Sequence, residues 1–92
     1  MHFAIVCLDK PDAGTTRADN RPAHLDYLNA NKARVLVAGP LLSDNGQSPV
    51  GSLLIMEFDD LAAAHGFAQG DPYRAAGLFQ SVTVRPWRQV LP

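Results

Sequence analysis

Residues 34–58 read RVLVAGPLLSDNGQSPVGSLLIMEF. Two apolar runs, 34–40 and 52–58, flank the segment 43–51 (SDNGQSPVG), which is rich in turn formers and has Asn45-Gly46 as its strongest turn element. Asn and Gly tolerate the left-handed backbone that tight turns demand, so the stretch predicts two strands joined by a turn. Gly39-Pro40 is expected to stop the first of them, since Pro brings no N–H to a ladder.

Outward from this pair the chain repeats one theme. Residues 3–9 (FAIVCLD) form another short apolar run, closed by Lys10-Pro11-Asp12-Ala13-Gly14. Residues 78–90 alternate and are β-branched at Val82-Thr83-Val84, predicting a last strand that Pro86 bends or ends. Residues 15–33 carry helix formers with Ala18, Leu25 and Leu28 at apolar positions. Pro22 leaves two readings open there. It sits in the first turn of a helix capped by Asp19 or Asn20, where its missing N–H costs nothing, or it kinks a longer helix that begins near Thr16. Asp59 or Asp60 caps a second helix running to about Gln69. Gly70-Asp71-Pro72 breaks it, and a short helical turn over Tyr73–Ala76 precedes Gly77.

The order β-α-β-β-α-β is that of the ferredoxin-like α+β unit, a four-stranded antiparallel sheet with both helices on one face. The length, 92 residues, suits one domain over residues 1–92. An antiparallel sheet with a wet face alternates apolar and polar residues, and these strands do not. In the first, Phe3, Ile5 and Cys7 face one way, while Ala4, Val6 and Leu8 face the other. The runs Val35-Leu36-Val37-Ala38 and Leu53-Leu54-Ile55-Met56 are apolar on both sides as well. Two helices cover one face only. The other would leave an apolar patch beyond the usual few hundred Å², so a homodimer through that face is expected.

Composition narrows the function classes. Hydrophobic residues make up 47%, which suits a folded domain, and the formal net charge is -1 with the eight basic residues spread out. That speaks against a nucleic-acid footprint; Arg85 and Arg88 are the nearest approach to a basic pair. The segment Met1-His2-Phe3-Ala4-Ile5-Val6 has no basic n-region, and no apolar run is long enough for a membrane span, so a cytoplasmic location is expected. Cys7 is the lone cysteine and, among Phe3, Ile5 and Leu8, reads as a small buried hydrophobe rather than a nucleophile.

Few residues offer chemistry. The chain has no paired cysteines, no phosphate-binding glycine loop and no His-x-x-x-His, so neither a metal nor an organic cofactor is expected. His2 and His65 read as solvated surface. Ser43, Ser48, Ser52 and Ser81 lack a nucleophile-elbow context. His24 follows Arg21-Pro22-Ala23 in the predicted helix, and Asp71 sits in Gly-Asp-Pro. By composition alone His24 is as readily structural, and Asp71 as readily a cap for the short turn beginning at Pro72.

Several blocks together, in order and spacing, resemble the YciI family: Arg21-Pro22-Ala23-His24-Leu25, Val35-Leu36-Val37-Ala38-Gly39-Pro40, Glu57-Phe58 with Ala62-Ala63-Ala64, Asp71-Pro72-Tyr73 with Ala76-Gly77, and Val82-Thr83-Val84-Arg85-Pro86-Trp87. The resemblance covers essentially the whole chain. It implies a ferredoxin-like fold that dimerises in the dimeric α/β-barrel manner, and a His–Asp active-site pair that maps onto His24 and Asp71. It also brings in a dehydrochlorinase acting on a chlorinated hydroxyquinol and a superfamily with cofactor-free enzymes of aromatic breakdown. The implied chemistry is proton transfer on an enolisable or phenolic small molecule. An aspartate accepting from one imidazole nitrogen sets the tautomer, and the other nitrogen exchanges a proton near neutral pH. Arg21 is a candidate for holding an anionic substrate, Gly39 and Pro40 for letting a ligand approach the backbone, and Tyr73 for lining the pocket. The competing expectation is a dimer that binds a small molecule without transforming it.

Overall fold

The computed structural model describes residues 1–92. Strand β1 (His2–Asp9) leads into helix α1 (Thr16–Ala30), a single 3-10 turn at Lys32–Arg34, and strands β2 (Val35–Leu42) and β3 (Pro49–Glu57). Helix α2 (Leu61–Gln69), the one-turn helix α3 (Pro72–Ala75) and strand β4 (Phe79–Trp87) complete the chain. The sheet order is β2-β3-β1-β4 with every neighbouring pair antiparallel, the ferredoxin-like arrangement.

Register explains how the sheet is divided. Ile5 pairs with Leu54 on one side and Val84 on the other, and Cys7 pairs with Ser52 and Val82. Side chains alternate along a strand, so Phe3, Ile5, Cys7, Leu54, Met56 and Val84 share the face that meets the helices. Together with Phe58, Ala64, Phe67 and Ala68 they form the buried core. Fully burying a side chain of this size contributes roughly 1.5–3 kcal/mol. Phe58 packs against both Phe3 and Phe67, and the Tyr27 hydroxyl donates to the Phe67 carbonyl at 2.8 Å, tying α1 to α2.

Two strand boundaries differ from expectation, and the open readings at Pro22 and at Asp59 or Asp60 are decided. Helix α1 starts at Thr16 and runs through Pro22, so the longer-helix reading holds and neither Asp19 nor Asn20 is its cap. Strand β2 does not stop at Gly39-Pro40; Pro40 pairs with Ser52, and the strand continues to Leu42. The reason is position: β2 lies at the sheet edge, where a residue without an N–H leaves a neighbour's carbonyl unserved on one side only. Pro86 lies in β4, the other edge, and that strand ends one residue later at Trp87, in line with the expectation that Pro86 bends or ends it. Strand β3 begins at Pro49, so the turn is the shorter segment 43–48, closed by Ser43 N donating to the Ser48 carbonyl with Gly46 at φ +74°. Asp60, not Asp59, caps α2 by accepting from Ala63 N at 2.8 Å.

His2 also departs from expectation. It is half-buried, edge-on to Trp87 with 6.1 Å between ring centroids, and its Nε2 lies 3.5 Å from Glu57. His65 is exposed as read. No helix is long and apolar enough to cross a membrane.

Candidate functional site

The chemistry-bearing residues gather where α1 crosses the sheet beside α3. Because α1 begins at Thr16, Arg17, Arg21, His24 and Leu28 fall at spacings of four, three and four residues and share one helix face. That face looks across a cavity of about 620 Å³ whose floor is the helix-facing side of β2 and β3, including Ala38, Pro40, Ser52 and Leu54. The size suits a small molecule.

His24 is held at two places. Its Nδ1 lies 2.9 Å from Asp71 Oδ1, both side chains being buried, and its ring stacks on Tyr73 with centroids 4.0 Å apart and planes 15° from parallel. An ionised carboxylate only accepts, so Nδ1 carries the hydrogen of this bond and Nε2 is the nitrogen left over. Nε2 has no hydrogen-bond partner in the chain and is not sealed from solvent; His24 lines the cavity. Asp71 does not line it and sits behind the histidine. The same Oδ1 accepts from Tyr73 N at 2.9 Å and caps α3.

The fold also brings in three residues that sequence reasoning did not single out for this site. Arg17 Nε donates to Asp9 Oδ2, and its Nη2 donates to both Asp9 Oδ1 and Ser52 Oγ, at 2.8, 2.8 and 3.1 Å. The fork is the bidentate geometry favoured by guanidinium and carboxylate. The Arg17 guanidinium lies 4.7 Å from the centre of the Tyr73 ring. Burial pulls the Arg17 guanidinium down, but the bonded Asp9 carboxylate outweighs it and holds Arg17 above its ordinary value. Burial raises the Tyr73 phenol, against the opposing pull of Arg17 and Arg21, so the hydroxyl stays a donor at neutral pH. The available signal for Arg17 was its position four residues before Arg21 and seven before His24. It became legible only once the helix start was known.

Of the residues named from sequence, Arg21, His24, Gly39, Pro40 and Tyr73 all line this one cavity, and Asp71 reaches it through His24. No three of the His, Cys, Asp and Glu side chains come together as a metal-binding group. Cys7 is buried under the site, and its thiol is pushed up to about 12, by burial first and then by the charge of Asp71.

The YCII-related domain matches residues 1–88. Protein YciI of Escherichia coli O6:H1 is 38% identical over 97 aligned residues, covering 98% of this chain and 99% of its own. Among solved structures, the 5-chloro-2-hydroxyhydroquinone dehydrochlorinase TftG of Burkholderia phenoliruptrix AC1100, in complex with 2,5-dihydroxybenzoquinone, is 38% identical. It superposes with a TM-score of 0.88 over 96% of this chain and 94% of its own. An antibiotic biosynthesis monooxygenase, at 17% identity and a TM-score of 0.57 over 99% of this chain and 100% of its own, shares the fold alone.

Proposed function

The chain belongs to the YCII-related family, and from that premise we propose that it is a small-molecule enzyme moving a proton through His24 Nε2, with Asp71 holding the ring. One observation carries the reading. A buried histidine is fixed through Nδ1 and by a stacked ring, while its other nitrogen is left unpartnered at a cavity of ligand size. A histidine serving packing alone has no need of a carboxylate at one nitrogen and open space at the other.

The reaction class follows from what the residues can supply. His24 takes a proton from a substrate carbon or hydroxyl. The electron pair left behind forms a double bond, and either a halide departs with its own pair or the proton returns at another atom. The first course is loss of HX and the second is isomerisation; neither needs an oxidant or reductant. The dehydrochlorinase activity of TftG supports the elimination course. The substrate is expected to be an aromatic-derived or enolisable metabolite, with Arg21, Gly39, Pro40 and Tyr73 as its contacts. We further propose that the working form is a homodimer paired through the sheet face opposite the helices, where Val37 and Leu8 are 55% and 46% exposed.

The test is turnover of halogenated hydroxyquinols, 5-chloro-2-hydroxyhydroquinone first, followed by halide release. His24→Ala is expected to lower the rate by ~10²–10⁴-fold while the protein still melts cooperatively, the usual scale of general acid–base help. Full activity in folded His24→Ala rules the mechanism out. Binding without turnover in the wild type moves the reading to a ligand-binding protein.

A further inference from the structure

Three residues after His24, helix α1 carries Tyr27, and the residue before Asp71 is Gly70. The fold sets these two sequence neighbours of the His24–Asp71 pair against each other. The half-buried Tyr27 ring stacks on Phe67 with centroids 4.7 Å apart and planes 21° from parallel, and its hydroxyl donates to the Phe67 carbonyl at 2.8 Å. That carbonyl also accepts from Gly70 N at 3.1 Å, so one oxygen near the end of α2 serves both residues. Burial first, and the charge of Asp71 second, raise the Tyr27 phenol, which therefore keeps its hydrogen for this bond at neutral pH.

Backbone geometry gives no reason for a glycine at position 70. Its φ of -85° and ψ of -3° are right-handed values open to any residue. The reason is steric. A Cβ on Gly70 would lie 2.5 Å from the Tyr27 hydroxyl oxygen and 3.2 Å from the ring carbon Cζ. Glycine makes the seat in which the hydroxyl rests. The segment from Phe67 to Asp71 is thus held to α1 twice, by Tyr27 at its start and by His24 at its end, and the two bonds leave α1 three residues apart. One bond alone would let the junction of α2 and α3 pivot about it; two fix Asp71 Oδ1 relative to His24 Nδ1. Neither Tyr27 nor Gly70 lines the cavity.

We propose that Tyr27 is a positioning residue for the His24–Asp71 pair: its hydroxyl, seated on Gly70, holds the α2–α3 junction against α1 and keeps Asp71 at bonding distance from the imidazole. The inference rests on the proton-transfer reading for its effect on rate, while the clamp itself rests on geometry. Because both residues lie outside the cavity, the clamp acts on turnover through His24 and not through contact with a ligand.

The experiment uses the full chain and follows the proton NMR resonance of His24 Nδ1–H, assigned by its absence from His24→Ala. Bonded to a buried carboxylate, this proton is expected to exchange slowly with water in the wild type. Tyr27→Phe keeps the stacked ring and removes the hydroxyl; it should speed the exchange roughly two- to tenfold, the scale of one lost hydrogen bond. With 5-chloro-2-hydroxyhydroquinone as substrate, kcat should fall by a similar factor and KM should not change. Gly70→Ala should have the larger effect, since its methyl displaces the hydroxyl or pushes the residue before Asp71. In a Tyr27→Phe background the same Gly70→Ala should add little, because the oxygen it strikes is gone. Thermal melts accompany each variant, and a Gly70→Ala chain that folds only in the Tyr27→Phe background supports the same pairing. An unchanged exchange rate in folded Tyr27→Phe, or an equal effect of Gly70→Ala on exchange and melting in both backgrounds, overturns the proposal. Turnover that depends on His24 but not on Tyr27 sinks the clamp alone. Faster exchange in Tyr27→Phe with no turnover in any variant, the wild type included, removes the proton-transfer reading and leaves the clamp standing.

Discussion

The Asp71 oxygen that receives His24 Nδ1–H at 2.9 Å is also the oxygen that caps α3. Sequence offers these as rival readings of one aspartate; in the fold a single atom satisfies both. The cap fixes Oδ1 relative to the backbone of α3, and the imidazole is then fixed relative to the cap. The stacked Tyr73 ring belongs to the same one-turn helix, so both restraints on His24 come from a segment of four residues.

Substitutions at Asp71 therefore separate architecture from chemistry. Asn keeps an oxygen at Oδ1, so Asp71→Asn is expected to preserve the cap and to stay within about 1 kcal/mol of wild-type stability. Ala removes the cap and leaves a buried ring N–H without an acceptor, at a cost of roughly 2–4 kcal/mol. Turnover should fall in both, because neither supplies negative charge behind the imidazole when its ring takes up a proton. Urea melts and rates on the same preparations check this. An Asn variant with wild-type turnover would reduce Asp71 to a cap.

Two glycines make a matched pair for stability against ligand access. A Cβ built on Gly51 would sit 2.4 Å from the Cys7 carbonyl oxygen, inside the β1–β3 ladder, where backbone must move to admit it. Gly51→Ala is expected to lose about 2–3 kcal/mol. A Cβ on Gly39 meets nothing within 4 Å, yet Gly39 lines the cavity. Gly39→Ala should melt like wild type and bind ligand more weakly, if the ligand does approach the backbone there. Thermal melts paired with ligand titration read both effects.

How much of this was legible beforehand follows the range of the interactions involved. The order of elements could be read because each apolar run is punctuated locally, as at Lys10-Pro11 and Gly70-Asp71-Pro72. Pro40 misled because its tolerance depends on lying in an edge strand, and edges exist only once the order β2-β3-β1-β4 is assembled. Pro22 could not be placed for a related reason: the gain from packing the longer α1 outweighs one missing helical hydrogen bond, and that gain is tertiary. His24, Arg21 and Tyr73 stand in local blocks that carry the family resemblance. Arg17 does not, and its partners Asp9 and Ser52 lie 8 and 35 residues away. Ser52 read as a serine without a nucleophile's setting, whereas its place in the fold is to accept from that arginine.

Cys7 gives a prediction with a defined sign. Its thiol is raised to about 12 in the folded chain, from an ordinary value of 9.0. Below pH 9 both folded and unfolded chains hold the proton, and Cys7 favours neither. Between about 9 and 12 the unfolded chain releases it first, so stability falls with a limiting slope of about 1.4 kcal/mol per pH unit. Cys7→Ala lacks this slope. The difference in urea midpoint between wild type and variant should shrink steadily above pH 9. In the native protein at pH 8, iodoacetamide should leave the thiol untouched, and in 8 M urea it should label it readily; native labelling at a comparable rate would contradict the burial.

The assembly prediction rests on the sheet face turned away from the helices. On that face register places Ala4, Val6 and Leu8 of β1 beside Leu53 of β3 and Thr83 and Arg85 of β4, with Val37 and Leu41 at the β2 edge. Val37 and Leu8 are well exposed there, whereas Phe3, Ile5 and Cys7, which alternate with Ala4, Val6 and Leu8 along β1, are buried in the core. A chain of this length has little core of its own, so covering such a face with a second copy adds apolar burial that one protomer lacks. Light scattering at micromolar concentration is therefore expected to give twice the chain's 9.9 kDa. Val37→Glu puts a charge on this face at its β2 edge and should shift the mass toward the monomer and lower the melting temperature at a given protein concentration. Arg85→Glu lies at the far side of the same face and should have the smaller effect, since an exposed charge at a rim changes little. A wild-type chain that stays monomeric at every concentration reached, and melts independently of it, would show that this face is stable in water alone.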